Sequence, residues 1–331
     1  MKTKSLIGLV VGLAAICALV AWQGVETVVG LLAEAGWGVL LVCLFAVPDQ
    51  LLSAEAWRRL FPGERRPPVR QAVLASWMGS AVNTLLPVAS IGGEVIKARV
   101  LTLWSHAGAD TVSATIVDKT AQAIVVLVSA LVGIALLATV SPDRGVVVGA
   151  LVGAALLAVG IGGFIAVQVR GSFSFLARGA AWVGAADRWA GLVDGADRLD
   201  DAIRAIYSRP GAVSLACALR LTARIVLVGE VILAGHLMGY PIGLAEAVLI
   251  KGLIVGLRGV SFAVPGAYGI QEGGFVAIGV IIGLPADLML AVSLATRVRE
   301  IVPSIPFLLA WQHTEGRALW RRSVATGKEG T

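Results

Sequence analysis

Six stretches of this chain, residues 6–22, 36–53, 111–139, 145–169, 211–238 and 288–312, are apolar over about the 20 residues that a helix needs to cross a hydrocarbon layer. No soluble domain needs six such runs. The composition agrees: 57% of 331 residues are hydrophobic and 15% are charged, with a mean hydropathy of +0.87. That is too little charge to cover a water-facing surface. The net charge of +6 does not point to nucleic acid, because the basic residues are spread over loops and run interiors and form no single polar face. The expected fold class is an all-α polytopic membrane protein in a single integral membrane domain, residues 1–331.

Two further apolar stretches, 71–104 and 244–286, are interrupted by Pro and Gly and carry charges inside. Orientation assigns them a path. Lys2 and Lys4 keep the N-terminus in the cytoplasm, and the loop with Glu26 and Glu34 lies outside. Arg58, Arg59, Arg65, Arg66 and Arg70 mark the next loop as inside, as do the six Arg of 170–210 and Arg317, Arg321, Arg322 and Lys328 of the tail. For 145–169 to end inside, 111–139 must begin inside, so 71–104 enters from the cytoplasm and returns there. By the same reasoning 244–286 enters from outside and returns outside. The expectation is six transmembrane helices plus two re-entrant helical hairpins, in a bacterial inner (cytoplasmic) membrane, with both termini cytoplasmic.

Residues 6–22 also resemble a secretion signal. No A-x-A site follows, and Ile16 before Cys17 spoils a lipoprotein-type site, so the segment is expected to stay as the first span. Trp22, Trp37, Trp57, Trp104 and Trp311 fall near run ends, where an amphipathic ring prefers to sit, and Trp77 does not. Segment 173–208 spaces Trp182, Trp189, Leu192, Leu199, Ile203 and Ile206 by threes and fours, which predicts a cytoplasmic amphipathic helix; a solvated linker is the alternative.

The two broken stretches resemble each other. Pro87 is followed by Gly92, Gly93 and Glu94, and Pro265 by Gly266, Gly269 and Glu272, so each Glu lies seven residues after its Pro. Thirty-two residues after each Pro stands a cation, Lys119 (119 less 87) and Arg297 (297 less 265). An inverted repeat of interrupted helices meeting near the midplane is a common transporter plan. Non-helical backbone at that depth must be covered by protein or line a polar cavity.

Ionisable groups inside spans cost roughly 2.5–3.5 kcal/mol each on insertion scales. Fourteen are expected there, nine cations against five anions: Glu94, Lys97, Arg99, Asp118, Lys119, Arg220, Arg224, Glu230, Lys251, Arg258, Glu272, Arg297, Arg299 and Glu300. Most must share a polar interior. Arg220 and Arg224 stack on one helix face, roughly 14 and 20 Å deep counted from residue 211. An anion held between them would relieve their repulsion, and Arg grips phosphate in a two-point fork. Arg220, Arg224, Lys119, Arg297, Lys251 and Arg258 are therefore the candidate substrate-binding residues. Glu94, Glu272, Asp118 and Glu230 are candidate partners, either neutralising buried cations or coupling to protons. Lys97, Arg99 and Arg299 are expected to snorkel to an interface. The GxxxG spacings Gly252/Gly256 and Gly269/Gly273 would allow close helix contact.

The run Gly92-Gly93-Glu94-Val-Ile-Lys97-Ala-Arg99-Val-Leu101, with Pro265-Gly266-Ala-Tyr-Gly269-Ile-Gln-Glu272 and the later Arg297, resembles the flippase-like family. This is the membrane region shared with lysylphosphatidylglycerol synthases (the multiple peptide resistance factor). The length is similar to that of stand-alone members, including a subgroup associated with hopanoid biosynthesis. The resemblance implies a role in moving lipids between leaflets. The soluble domain that transfers the amino acid is not expected, since the chain ends about 20 residues past the last run, so no aminoacyl-transfer enzyme is expected either.

The leading expectation is a lipid flippase that holds an anionic head group in a basic intramembrane cavity. An intramembrane lipid-modifying enzyme is an alternative, but His106, His236 and His313 are scattered, no metal motif appears and no nucleophile is marked. An accessory subunit of a lipid pathway is another. Membrane lipids are the expected partners, together with a second copy of the chain or lipid-pathway enzymes. No cofactor, metal or disulfide is expected, since Cys17, Cys43 and Cys217 all lie in apolar runs without ligand spacing.

Overall fold

Proline and glycine set where the helices stop. The computed structural model describes residue 30 and residues 33–86, 92–141, 143–170, 186–261 and 267–328, without the side chains of 186–195 and 318–328. The expected first span 6–22, Trp22, Pro87, Pro265, Gly266, Trp182 and residues 173–185 lie outside the described residues. Eleven helical segments follow in order among the described residues: α1 Gly38–Arg59, α2 Val69–Leu85, α3 Gly92–Leu103, α4 Gly108–Val140, α5 Arg144–Val169, α6 Ala186–Tyr207, α7 Pro210–Leu237, α8 Leu244–Val260, α9 Ile270–Ile281, α10 Ala286–Ile301 and α11 Ser304–Lys328. Helix α2 starts after Pro68 and ends at Leu85, with Leu86 extended as a residue before proline must be. Pro210 occupies the first turn of α7, where its missing N–H is no loss. Asp143 caps α5 by accepting from the Gly145 amide at 2.7 Å.

Four of these helices, α1, α4, α5 and α7, are long and apolar enough to cross a membrane. They coincide with the expected spans 36–53, 111–139, 145–169 and 211–238. The expected span 288–312 is different. It is two helices, α10 and α11, separated by a turn at Val302–Pro303. Pro303 cannot donate to the turn before it, and its ring crowds the preceding carbonyls, so the apolar run continues across a break in the helix. The interrupted stretches are each a pair of short helices, α2 with α3 and α8 with α9.

The two halves of the chain correspond without a gap. Helix α9 begins and ends 178 residues after α3 (270 less 92, 281 less 103). The end of α7 lies 178 after the end of α1 (237 less 59), and α10 begins 178 after α4 (286 less 108). The matched helices run antiparallel. A side chain added at Gly38, at the start of α1, would meet Leu237 at the end of α7, and one added at Gly229 would meet the Phe45 ring. At the other end Arg209 donates to the carbonyls of Leu60 and Phe61, at 2.7 and 3.1 Å.

Each short pair also packs on the long helices of the opposite half, α8 along α4 and α2 along α11. The α8–α4 crossing is close because both faces are small: a Cβ at Gly252 would lie 2.4 Å from the Ser129 carbonyl oxygen, and one at Gly133 2.9 Å from the Leu253 amide. Gly256 belongs to the same seam, facing Ala130. Gly273 does not, since a Cβ there would meet nothing within 4 Å.

Two apolar cores result, one toward each end. Trp57, Leu60, Phe61, Met78, Leu101 and Val117 form the first, and Ile203 and Ile206 of α6 are buried in it. This part of the expected amphipathic helix therefore presents its apolar stripe to the protein itself. Val42, Val231, Ile250, Phe275, Leu288 and Met289 form the second. The charged residues lie between the two.

Candidate functional site

The tips of the two short helix pairs meet. Tyr268, just before α9, donates its hydroxyl to the Thr84 carbonyl at the end of α2, at 3.1 Å. Beside this contact lies a cavity of about 520 Å³. A second, smaller cavity of about 100 Å³ adjoins it, and Asp49, Gln50, Ser80, Glu94, Gln122 and Arg224 line both. Among the described residues, six cations face the larger cavity (Lys119, Arg224, Lys251, Arg258, Arg297 and Arg299) against three anions (Asp49, Glu94 and Glu300).

The repeat-related pairs expected from spacing are both formed. Lys119 donates to Glu94 at 2.9 Å, and Arg297 to Glu272 at 2.6 Å, each across 25 residues of sequence. Both glutamates occupy the third position of their helix, which follows from the matched starts at 92 and 270. The second pair is tied more tightly. Glu272 also accepts from the Gly269 amide at 2.8 Å, and Gly269 has a φ of +79° that a side chain would strain. Arg297 further donates to the Ala267 carbonyl and stands over the Tyr268 ring, 4.7 Å from its centroid. In the first half the Gly93 amide donates to Asn83 at 2.7 Å, which holds the start of α3 to α2. Gly93 and Gly79 lie back to back, and a Cβ at Gly93 would come within 2.1 Å of the Gly79 carbonyl oxygen.

Two chains of charge extend from these pairs. In the first, Glu94 also holds Lys97 at 2.8 Å, Lys97 reaches Asp118 at 2.8 Å, and Asp118 takes Arg220 in a two-point grip at 2.8 and 2.6 Å. In the second, Glu300 receives Arg297 at 3.0 Å and Arg258 at 2.5 Å, while Glu230 receives Arg299 at 2.7 Å and Lys251 at 2.5 Å. Carboxylates shared between cations keep these charges affordable at a depth where an isolated one would be very costly.

Several expectations change here. Lys97 and Arg299 do not snorkel to an interface: both are buried and paired within the bundle, because carboxylates from neighbouring helices reach them. Arg99 is half-exposed and pairs with Glu315 of α11. Arg220 and Arg224 do not form one anion clamp, since Asp118 occupies both arms of the Arg220 fork. Lys251 and Arg297 are likewise enclosed by carboxylates. Lys119 and Arg258, about a third exposed at 34% and 36%, still present surface beside their partners.

Arg224 is the exception. It lines both cavities and makes no ion pair among the described residues; Asp49 is the carboxylate whose field acts on it. Asp49 sits inside the expected span 36–53 and was left out of the fourteen intramembrane charges. An acidic residue within an apolar run was the signal that could have found it. Trp77, whose position near no span end had no explanation, lines the cavity and stacks on Phe307 of α11 with centroids 4.1 Å apart.

The arrangement is a closed set of internal ion pairs around a volume large enough for a lipid head group, with one guanidinium left to accept an anion. Among the described residues no group of His, Cys, Asp and Glu has the arrangement of a metal site. A family model described as the lysylphosphatidylglycerol synthase TM region matches residues 5–306. Comparison with curated proteins and with solved structures returned no match.

Proposed function

The chain belongs to the family of the lysylphosphatidylglycerol synthase TM region, and from that premise we propose that it is a lipid flippase rather than a catalyst. In this reading a phosphate-bearing head group enters the basic cavity while its tails stay in lipid. The observation that carries the reading is Arg224, a cation facing the cavity without an ion-pair partner among the described residues. A phosphate in contact with it would supply the missing charge, and Lys119 and Arg258 present further positive surface to the same volume.

The antiparallel halves support a transport cycle. Helices α2 (17 residues) and α3 (12 residues) are roughly 26 and 18 Å long, and α8 and α9 match them, so each is shorter than the roughly 30 Å of a hydrocarbon core. We read the two pairs as re-entrant hairpins from opposite faces, their tips meeting near the midplane at Thr84 and Tyr268. One half rocking against the other would open the cavity to each leaflet in turn. The end that gathers Arg58, Arg59, Arg65, Arg70 and Arg209 is assigned to the cytoplasm of a bacterial inner membrane.

The test is leaflet exchange of fluorescent phospholipids in liposomes holding the purified chain. Exchange above empty liposomes, reduced at least about tenfold by Arg224→Gln, is the expected result for loss of a charge-assisted contact to phosphate. Exchange equal to wild type in that variant would sink the proposal. New covalent lipid species by mass spectrometry would replace it with a lipid-modifying reaction.

A further inference from the structure

The cavity holds acceptors that nothing among the described residues fills. Gln50 donates its amide nitrogen to Ser80 Oγ at 3.0 Å, and Gln271 donates its own to Thr296 Oγ1 at 3.1 Å. In both, the amide oxygen is shut off from solvent and receives no hydrogen bond. Gln271 is 1% exposed and lines the cavity, as does Gln50. Asp49, next to Gln50 on α1, adds a carboxylate with no ion pair among the described residues. Buried acceptors are nearly always paired, and one left without a donor is costly.

An anion alone would therefore use only half of what the cavity offers. Arg224 calls for negative charge, and the oxygens of Asp49, Gln50 and Gln271 call for N–H or O–H groups. These features lie around one volume of about 520 Å³, so a single head group can meet them together. We infer that the cavity selects a phosphate head group carrying hydrogen-bond donors beyond the phosphate, either a primary ammonium or free hydroxyls. Such a group sets its phosphate on Arg224 and its donors on Asp49, Gln50 and Gln271. A trimethylammonium head group has the charge of the primary amine without any N–H. It would leave the buried oxygens unpaired, the situation in which sites built for hydrogen bonding discriminate most strongly.

This inference rests on the head-group reading above, and a binding measurement separates the two. The purified full chain in detergent is offered equimolar phosphatidylethanolamine, phosphatidylglycerol and phosphatidylcholine of the same acyl chains, and retained lipid is counted by native mass spectrometry. The expected result is retention of the ethanolamine lipid, the glycerol lipid or both over the choline lipid by at least about tenfold. Ethanolamine alone would identify an ammonium subsite at Asp49, and retention of the glycerol lipid would identify hydroxyl recognition.

Asp49→Asn and Gln50→Leu should each narrow the preference. The wild-type ratio needs no variant and stands even if these fold poorly. Equal retention of the choline lipid, or no lipid retained, overturns the inference. Selective binding without leaflet exchange in liposomes leaves it intact and removes only the transport reading.

Discussion

Asp118 holds both arms of the Arg220 guanidinium, at 2.8 and 2.6 Å, and so takes out of play a residue whose position alone pointed to ligand binding. The pair is buried on both sides, 102 residues apart in sequence. Such a pair adds little net stability, but removing one partner strands the other as an uncompensated charge.

Arg220→Ala should therefore act on stability more than on binding. Loss of roughly 3–5 kcal/mol is expected, read as an earlier unfolding transition in detergent. Adding Asp118→Asn in the same chain should recover part of that loss. A single variant as stable as wild type would show that the charge is not buried in this way.

Arg224→Gln should do the reverse. No ion pair among the described residues is broken, so the unfolding transition should stay within about 1 kcal/mol of wild type. Lipid binding, and exchange if the chain transports, should fall. A variant that loses stability as far as Arg220→Ala would mean that Arg224 has a structural role like its neighbour's.

The two repeat-related glutamates should respond unequally. Glu272 is fully buried and also holds the Gly269 amide that starts α9, whereas Glu94 is 20% exposed in its side chain. Glu272→Gln is expected to cost more than Glu94→Gln, by about 1–2 kcal/mol. Paired unfolding curves of the two variants decide it, and equal midpoints would contradict the asymmetry.

Gly252→Val should force α8 from α4, since even a Cβ would lie 2.4 Å from the Ser129 carbonyl oxygen. A loss of about 1–3 kcal/mol or more is expected from such overpacking. Gly273→Ala, with nothing within 4 Å, is the control and should unfold with wild type. The two GxxxG spacings look alike in sequence, and only one of them lies at a helix crossing.

The re-entrant path can be tested by thiol labelling. In a chain freed of Cys17, Cys43 and Cys217, single cysteines at Arg70 and His106 should label from one face. Those at Tyr240 and Asp287 should label from the opposite face. Arg70 and His106 labelling from different faces would make 71–104 a full crossing and remove the re-entrant reading.

What the sequence determined by itself was local or periodic. The runs that became α1, α4, α5 and α7 were legible because a membrane helix satisfies its own backbone and needs only length and apolarity. Pro87 and Pro265 placed the interruptions, and matched spacing identified Glu94 with Lys119 and Glu272 with Arg297 as pairs. The same local logic misread 288–312, where apolarity runs through a break that Pro303 makes. The tertiary structure alone decided which cations are spoken for. Lys97, Arg220, Lys251 and Arg299 find carboxylates 21 to 102 residues away, and a partner on another helix leaves no trace in the spacing along one. Coulomb energy depends on distance in space, and at low dielectric it is large enough for a few ångströms to decide whether an arginine holds the fold or awaits a ligand. That is how Arg224 and the overlooked Asp49, rather than the pair Arg220 and Arg224, came to face the cavity.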